Sequence, residues 1–405
     1  MSPTNGPRPS ERVSYKLAAL SESVTLQVDA SAKALRAAGR PVISFAAGEP
    51  DFPTPEHIVE AAERAATDSR NHRYTPVAGL PELREAIATT ASADCATGIE
   101  PSQVLVTNGG KQAVYQALQA LLNPGDEVLL PAPYWTTYPE AVQLADGVTI
   151  PVFAGAEQDY KVTVDQLEAA RTPKTTALIF VSPSNPTGAV YDAAEVCAIG
   201  EWALRQGIWV ISDEIYRDLV YDGARVTSII DAVPNLTDQT VVLNGVAKSY
   251  AMTGWRVGWM IGPPRVINPA INLQSHLSSN VNNIAQRATI AALTGSQQPL
   301  ADFRRAFDRR RRLILDGLRD IPGFRVPEPR GAFYIYPDVR DLLSQTQQIG
   351  SPRTSLELAA TLLKEAEIAA VPGEAFGSTG YLRFSYALSD NDIAEGMRRL
   401  KALLT

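Results

Sequence analysis

The feature that most constrains the fold is an alternation of short apolar strands and amphipathic helices over some two hundred residues after residue 55. The predicted strands are apolar along most of their length, which is typical of strands covered by helices on both faces. Repeats of strand and helix in this order predict a mostly parallel sheet. The strand segments are SQVLVTN, DEVLLPA, TTALIFV, GIWVISDEIY and QTVVLNGVAKS, and the helices include GGKQAVYQALQALL and AAEVCAIGEWALRQ.

The pattern changes after about residue 295, where a smaller α+β unit is predicted. A long helix over 299–318 begins this unit, with Phe303, Phe307, Ile314 and Leu318 along one stripe. Further strands are predicted in GAFYIYP, AAVPG and GYLRFSYA, with helices near 355–366 and at the end of the chain. The arginine run within the long helix is interpreted as an exposed face rather than as an anion site.

Turn-rich junctions predict how the chain divides into domains. The start is rich in proline and polar residues, and we expect an arm over 1–23. The segment AAGEPDFPTP leads into the alternating region, which we expect to form a large domain over 54–296. The smaller domain is expected to combine 24–53 with 297–405, because the chain leaves and re-enters it at two turn-rich junctions.

Composition argues against several classes of function. The chain has 405 residues and a formal net charge of −7, which argues against a dedicated binder of nucleic acid or of a membrane surface. Its two cysteines, Cys95 and Cys197, are too few for a disulfide framework, so we expect a cytoplasmic protein. No apolar run reaches the length of a membrane span, and the first residues lack the apolar middle of a signal peptide. The three histidines are scattered, and no metal site is expected.

Lys248 lies in the segment GVAKSYAMTGWRVGW, directly after an apolar predicted strand. Most lysines are solvated surface charges, but a long charged side chain in this context is costly unless it has a function. A desolvated lysine near another cation has a lowered pKa and forms a Schiff base with an aldehyde. Arg256, eight residues on, supplies such a cation and can hold a phosphate. An aldehyde and a phosphate on one small molecule indicate pyridoxal 5′-phosphate (PLP).

A phosphate cradle is predicted where the strand VLVT is followed by Gly109, Gly110 and a helix. An ordinary tight turn is the alternative interpretation. At the end of the strand WVISD, Asp213 can pair with a protonated pyridine nitrogen, although aspartates there also cap turns. Tyr216, three residues later, either binds the phenolic oxygen of such a ring or only packs.

Two further segments fit the same ligand. In SPSNPTGAVY, the amide of Asn185 can reach the phenolic oxygen, although turn chemistry alone also explains NPTG. The bond between Asn185 and Pro186 is a candidate cis peptide. In PAPYWTTYP, Trp135 offers a flat face on which the ring can stack, although a core tryptophan is the other interpretation.

Taken in order, these motifs resemble those of the class I aminotransferases among the fold-type I PLP-dependent enzymes, and are most similar to the bacterial, actinobacterial-type aspartate aminotransferases. The resemblance covers nearly the whole chain from about residue 12. It implies an α/β fold of the PLP-dependent transferase type, with a mostly parallel seven-stranded sheet in the large PLP-binding domain and a smaller α+β domain. The matching segments are AGEPDF, RYTPVAGLPELREAI, NGGKQA, PAPYW, SPSNPTGAVY, SDEIY, GVAKSYAMTGWRVG and YLRFSYA.

The resemblance also implies a role for each matching residue. Lys248 is the catalytic residue, which binds the cofactor covalently and moves protons. Tyr74 reaches the phosphate in the neighbouring subunit, which implies a homodimer with shared active sites. The other implied cofactor contacts are the backbone of Gly109, Gly110 and Lys111 and the side chain of Arg256 at the phosphate, Trp135 against the ring, Asn185 and Tyr216 at the phenolic oxygen, and Asp213 at the ring nitrogen.

The substrates implied are an amino acid and a 2-oxo acid. Arg383 is expected to bind the α-carboxylate with help from Gly48, while Lys111 holds a distal carboxylate. Trp135 and Asn185 border the same pocket. Relatives that accept prephenate usually carry a lysine where this chain has Ser21, and the segment QSHLSSNVNN departs from the family at Leu277, Val281 and Asn282.

The reaction implied is ping-pong transamination of L-aspartate and 2-oxoglutarate to oxaloacetate and L-glutamate. An aromatic, prephenate or kynurenine aminotransferase with the same machinery is an alternative. A PLP β-lyase of the same fold is another, because it shares the lysine motif.

Overall fold

A computed structural model describes residues 13–93, 98–345 and 352–405, so the first half of the predicted arm and Cys95 lie outside the described residues. The strands in these ranges are β1 Ile43–Ser44, β2 Val104–Thr107, β3 Glu127–Ala132, β4 Val148–Phe153, β5 Thr175–Val181, β6 Trp209–Asp213, β7 Thr240–Gly245, β8 Gly258–Ile261, β9 Tyr334–Ile335, β10 Ile368–Ala369, β11 Val371–Pro372 and β12 Leu382–Ser385.

The α-helices in the same ranges are α1 Tyr15–Ala18, α2 Val24–Ala37, α3 Glu56–Thr67, α4 Pro81–Ser92, α5 Gly110–Leu121, α6 Thr137–Leu144, α7 Val164–Ala170, α8 Ala193–Gln206, α9 Ile229–Ala232, α10 Pro264–Leu277, α11 Asn283–Thr294, α12 Gln298–Arg319, α13 Arg340–Gln345, α14 Ser355–Glu365 and α15 Asp390–Leu404. No helix among the described residues is both long enough and apolar enough to cross a membrane.

Seven strands form one sheet in the order β2-β8-β7-β6-β5-β3-β4. The pairs among β7, β6, β5, β3 and β4 are parallel, and β8 is antiparallel to both of its neighbours. The sheet is buried on both faces. Helices α3, α4, α8 and α11 contribute to the core on one face, and α5, α6 and α10 to the core on the other. The predicted α/β fold with a mostly parallel sheet is therefore confirmed.

Helix α8 shows how local sequence sets the boundaries of these elements. The Asp192 carboxylate accepts a hydrogen bond from the N–H of Glu195, and the Glu195 carboxylate accepts one from the N–H of Asp192, so two backbone donors at the start of the helix are satisfied. Gly207 ends the helix in the left-handed region at φ 68°, where a glycine has no steric penalty. Between these caps, Val196, Ile199 and Trp202 face the sheet.

The remaining strands form two small sheets. Strands β11, β12 and β9 are antiparallel, and β1 pairs in parallel with β10. They share a core with α12, α14 and α15, which also receives Tyr216 and Leu219 from the loop after β6. These strands are shorter than the sequence predicts. The GAFYIYP segment contains only the two residues of β9, and AAVPG is divided between β10 and β11, because the apolar side chains here pack into a mixed core without a long ladder.

The arginine run of α12 is partly buried, so the prediction of a fully exposed face is wrong. Arg310 is 7% exposed and forms a bidentate ion pair with Asp51 at 2.8 and 2.9 Å. Arg311 is 0% exposed and pairs with acidic residues from three places in the chain, namely Asp308, Asp222 and Glu328. The local pattern of the helix could not reveal Asp222 and Glu328, because both lie outside it.

Candidate active site

A cavity of about 490 Å³ lies where the carboxyl ends of β5, β6 and β7 meet the smaller sheets. Open parallel sheets bind ligands at this edge. Ten of the twelve predicted site residues line it, and they are Gly48, Gly110, Lys111, Trp135, Asn185, Asp213, Tyr216, Lys248, Arg256 and Arg383. Gly109 adjoins Gly110 at the start of α5. Tyr74 is 90% exposed and is not among the lining residues.

Lys248 follows β7 and is half-buried, with its amine directed at the loop before α3. Its Nζ donates a hydrogen bond to the carbonyl oxygen of Gly48 and lies 5.8 Å from the centre of the Phe333 ring. Burial lowers the pKa of Lys248 to about 8, and the nearby Arg383 and Arg256 act in the same direction. Glu49 and Asp213 oppose this shift. A lysine with this pKa is in part an uncharged nucleophile near neutral pH.

Asp213 is the last residue of β6 and is 6% exposed. Its carboxylate accepts hydrogen bonds from the Tyr138 hydroxyl at 2.8 Å and from the Ile215 N–H at 3.1 Å. Burial raises the pKa of Asp213, whereas these two hydrogen bonds and the charge of Lys248 lower it. A carboxylate buried in this way is stabilised by a cation at its side, and the protonated nitrogen of a pyridine ring is such a cation.

The start of α5 forms a cradle with the Arg256 guanidinium. Gly109 has φ 81°, and a Cβ placed on it would lie 2.6 Å from Arg256 Nη2, so a larger side chain would strain the backbone and displace the guanidinium. Gly110 begins the twelve-residue helix, and the N–H groups of Gly110 and Lys111 have no partner among the described residues, so they can bind an anion. The Gly109 N–H instead donates to the Thr107 carbonyl at 2.8 Å, so its predicted contact with a phosphate is not supported. Arg256 donates to the carbonyl of Thr253 at 3.0 Å and to that of Asn108 at 3.4 Å, which holds its charge beside these N–H groups.

Lys111 and Trp135 form the adjoining wall. The Nζ atom of Lys111 lies 5.3 Å from the centre of the Trp135 ring. Burial, and next the charge of Arg256, lower the pKa of Lys111. Trp135 packs edge-on against Tyr138, with ring centroids 5.3 Å apart and planes at 89°. This contact orients the indole and connects it to the side chain that holds Asp213.

Arg383 lies on β12 and is 2% exposed. Its guanidinium donates to Asn185 Oδ1 at 3.1 Å and to the Ala46 carbonyl at 2.7 Å, while its buried Nε has no partner among the described residues. It stacks on Tyr334 at 4.6 Å and on Phe376 at 5.0 Å. Burial lowers the pKa of Arg383, but a guanidinium stays charged, so this site favours an anionic ligand.

Tyr138, Tyr334 and Glu49 are among the cavity residues that the sequence predictions did not include. Tyr138 holds Asp213, Tyr334 contacts Tyr216, and Glu49 accepts a hydrogen bond from Thr253 at 2.8 Å. Tyr138 could have been predicted, because it follows Trp135 by about one helical turn and so lies on the same side of the segment. Glu49 stands next to a predicted site residue, whereas for Tyr334 the sequence offered only its place in an apolar strand.

These features fit PLP as a bound group. The cavity contains a lysine of lowered pKa, a buried carboxylate suited to a ring nitrogen, and a glycine cradle that a Cβ would fill. The Asn185–Pro186 bond at its edge is cis, as are Ala132–Pro133 and Ser182–Pro183. The fold and the cavity together define a PLP-dependent transferase of fold type I.

Comparisons with known proteins agree with this class. The family model for aminotransferase class I and II matches residues 40–400. The chain is 57% identical to an aspartate aminotransferase of Streptomyces avermitilis, over 98% of both chains, and 45% identical to an aspartate/prephenate aminotransferase of Cereibacter sphaeroides, over 96% of this chain and 98% of the relative. The crystal structure of aspartate aminotransferase from Thermus thermophilus with maleate superposes with a TM-score of 0.91 and 38% identity, covering 97% of this chain and 100% of that one.

The chain therefore belongs to the class I and II aminotransferases. It is an enzyme that uses PLP to move an amino group from an amino acid to a 2-oxo acid.

Proposed function

We propose that this enzyme transfers the amino group of L-aspartate to 2-oxoglutarate by a ping-pong mechanism, giving oxaloacetate and L-glutamate. The observation that carries this proposal is the presence of Arg383 and Lys111 in one cavity. Two cations there can bind the two carboxylates of a dicarboxylic substrate. Several relatives named aspartate aminotransferase support the same substrate, and the Thermus enzyme was crystallised with the dicarboxylate maleate.

We propose that the sheet side of the cavity holds the cofactor. When bound, PLP supplies an aldehyde and a protonated ring that withdraws electrons from the substrate Cα. Lys248 would bind the aldehyde carbon with release of water, and Asp213 would keep the ring nitrogen protonated. Asn185 and Tyr216 donate to the phenolic oxygen, and Trp135 packs on the ring face. The phosphate would be held by Arg256 and by the N–H groups of Gly110 and Lys111, because the Gly109 N–H already donates to the Thr107 carbonyl at 2.8 Å.

The opposite side binds and orients the substrate. Arg383 forms a bidentate contact with the α-carboxylate, and its contact with Asn185 fixes the plane of the guanidinium. Gly48 contributes a backbone contact to the substrate. The Lys111 amine binds the distal carboxylate, and Trp135 and Asn185 border the substrate pocket. With a pKa of about 8, Lys248 can take the proton from the substrate Cα. It can then return this proton at the aldehyde carbon of the cofactor without leaving the cavity.

We propose a cytoplasmic homodimer with shared sites. Tyr74 is 90% exposed and does not line the cavity of its own chain, which supports its proposed contact with the phosphate in the partner subunit. Each chain has an arm over 1–23, a large domain over 54–296 and a small domain formed by 24–53 and 297–405. The core shared by β1, β9, β12, α12 and α15 supports this division. Closure of the small domain brings Arg383 to the substrate and excludes water.

The nearest alternative is an aromatic or prephenate aminotransferase. Several relatives are named for aspartate and prephenate, which keeps prephenate among the substrates to be tested. Ser21 stands where prephenate-accepting relatives usually have a lysine, and its side chain adds no positive charge. We therefore favour aspartate.

The test is a half-reaction without acceptor. Purified yellow enzyme is mixed with L-aspartate, L-phenylalanine or L-glutamate, and the visible absorbance and the oxo acid formed are recorded. We expect aspartate to bleach the visible band and to yield one oxaloacetate per site. Bleaching by phenylalanine but not by aspartate would replace the proposal with an aromatic aminotransferase, and release of ammonia would indicate a lyase.

A further inference from the structure

Tyr334 lines the cavity and has no assigned function so far. It lies on β9, is 1% exposed, and is situated between Tyr216 and Arg383. Its hydroxyl is 2.9 Å from that of Tyr216, and its ring centre is 4.6 Å from the Arg383 guanidinium carbon. A Cβ placed on Gly48 would lie 3.5 Å from the same hydroxyl. Tyr334 therefore contacts the proposed cofactor side and the proposed substrate side at once.

The direction of the hydrogen bond between the two tyrosines follows from counting protons. Each hydroxyl has one proton to donate. Burial raises the pKa of both tyrosines, so both are neutral at neutral pH. If Tyr216 donates its proton to the phenolic oxygen of the cofactor, that proton is not available to Tyr334. Tyr334 must then be the donor and the Tyr216 oxygen the acceptor.

We propose that Tyr334 is a positioning residue that directs the Tyr216 proton to the cofactor and supports the Arg383 guanidinium. A hydroxyl that accepts a hydrogen bond becomes a stronger donor, because linked hydrogen bonds polarise one another. The ring of Tyr334 separately contributes a cation–π contact to Arg383. This inference rests on the proposed role of Tyr216.

A Tyr334→Phe exchange leaves the charges around the pair unchanged. The charged groups that face the two hydroxyls are Arg383, Asp213 and Glu49, and those that face the Lys248 nitrogen are Glu49, Arg383, Arg256 and Asp213. None of them is hydrogen-bonded to Tyr334. Tyr336, two residues on, is a matched control, because its hydroxyl is bonded to Ser378 at 2.7 Å and it does not line the cavity.

The experiment is a pH titration of the visible absorbance of the bound cofactor in the holoenzyme. A hydrogen bond donated to the phenolic oxygen stabilises its negative charge. The proton on the Lys248 nitrogen beside this oxygen is then easier to remove, so the midpoint of the titration lies at a lower pH. We expect Tyr216→Phe to raise the midpoint by about one pH unit and Tyr334→Phe by about 0.4 unit. Tyr336→Phe should leave the midpoint within about 0.1 unit of the wild-type value.

The double variant Tyr216→Phe, Tyr334→Phe tests the coupling. If Tyr334 acts through Tyr216, the double variant has the midpoint of Tyr216→Phe alone. The KM for aspartate should rise less than about threefold in Tyr334→Phe, which keeps the ring, and about tenfold in Tyr334→Leu, which removes it.

Two results would overturn the inference while leaving the proposed function intact. In the first, Tyr216→Phe has a shifted titration midpoint but Tyr334→Phe has the midpoint of the wild type. In the second, the midpoint shift of the double variant equals the sum of the shifts of the two single variants. A wild-type midpoint in Tyr216→Phe would instead remove the proposed role of Tyr216, and this inference with it.

Discussion

The two walls of the cavity differ in how they are built. Asp213 and Lys248 lie at the carboxyl ends of adjacent parallel strands in the seven-stranded sheet. On the other wall, Gly48, Tyr334 and Arg383 come from a loop and from strands of two and four residues. The first wall is held by long hydrogen-bonded ladders with helices on both faces. The second depends on side-chain contacts, such as those of Arg383 with Asn185 and the Ala46 carbonyl.

This difference indicates a division of labour. A rigid wall suits the cofactor, whose reactive atoms must stay in place over many turnovers. A wall held by a few side-chain contacts can move toward the substrate and release the product. Variants of the first wall should therefore lose the chemical step, and variants of the second should lose substrate binding.

The largest effect is expected for Lys248→Ala in the sheet wall. We expect kcat to fall about 10⁵-fold, because the variant loses both the nucleophile and the proton carrier. A coupled assay of oxaloacetate measures this. Lys33→Ala is the matched control, because Lys33 lines the same cavity but is paired with Asp29 at 2.7 Å. It should keep kcat within about threefold, and an equal loss in both variants would contradict the assignment.

Arg383→Leu tests the opposite wall. We expect kcat/KM for aspartate to fall about 10³-fold, because the α-carboxylate loses a bidentate partner, and Arg383→Lys to fall about 10²-fold. The visible band should persist in both, since the cofactor side is untouched. Arg340→Lys, in the same unit but paired with Asp338, should resemble the wild type. Loss of the visible band in Arg383→Lys would show that the two walls are not separable in this way.

Arg311→Met probes a site that belongs to neither wall. We expect the free energy of unfolding to fall by about 3 kcal/mol, because three acidic side chains lose their shared buried partner. The kcat should stay within about twofold. Urea unfolding measures the change, and Arg312→Met is the control because Arg312 is 60% exposed. Equal destabilisation by the two variants would argue against the buried network.

Gly109→Ala sharpens the account of the cradle. The new Cβ would lie 2.6 Å from Arg256 Nη2, so we expect the affinity for PLP to fall about 30-fold, or about 2 kcal/mol. Gly125→Ala is the control for backbone strain, because Gly125 has φ 86° but no atom within 4 Å of its Cβ position. Equilibrium titration of cofactor-free protein gives both affinities. Equal affinities in the two variants would mean that the cradle does not hold the phosphate.

The smallest effect concerns the stability of the cofactor-free protein. Burial lowers the pKa of Lys248 from 10.5 to about 8, so below pH 8 the charge of Lys248 is buried in the folded state and solvated in the unfolded state. Between pH 8 and 10.5 the unfolded state binds more protons, so stability rises with pH there. The full shift corresponds to roughly 3 kcal/mol, but Lys248 is only half-buried and solvent screens its charge, so Lys248→Met should be more stable than the wild type at pH 7 by about 1 kcal/mol.

The stability difference between Lys248→Met and the wild type should disappear as the pH approaches 10.5. Urea unfolding at a series of pH values measures it. A constant difference over this pH range would show that Lys248 is not desolvated.

The sequence predicted the first wall more completely than the second. Strand periodicity placed Asp213 at a strand end, and the glycine pair predicted the cradle before α5. Gly48 and Arg383 were predicted only through the resemblance, because Gly48 lies in a loop and the four residues of β12 are too few for a periodic signal. Tyr138 and Tyr334 were missed, because an aromatic residue in an apolar segment has the same pattern whether it packs in the core or lines a cavity.

The partners of the buried arginines were unpredictable for a different reason. Arg311 pairs with Asp222 and Glu328, and Arg310 pairs with Asp51, and none of these three acidic residues lies on α12. Helical spacing gives the direction of each arginine but not the acidic residues that the fold brings to it. An exposed face was therefore the simplest interpretation of the run, and the structure shows why it fails at two of the four positions.

The most direct test of the account is the position of the covalent bond to the cofactor. The holoenzyme is reduced with borohydride, digested, and mapped by mass spectrometry. The account predicts one modified lysine per chain, at Lys248, and no modification at Lys111 or Lys33. A reduced cofactor on any other residue, or on none, would contradict it.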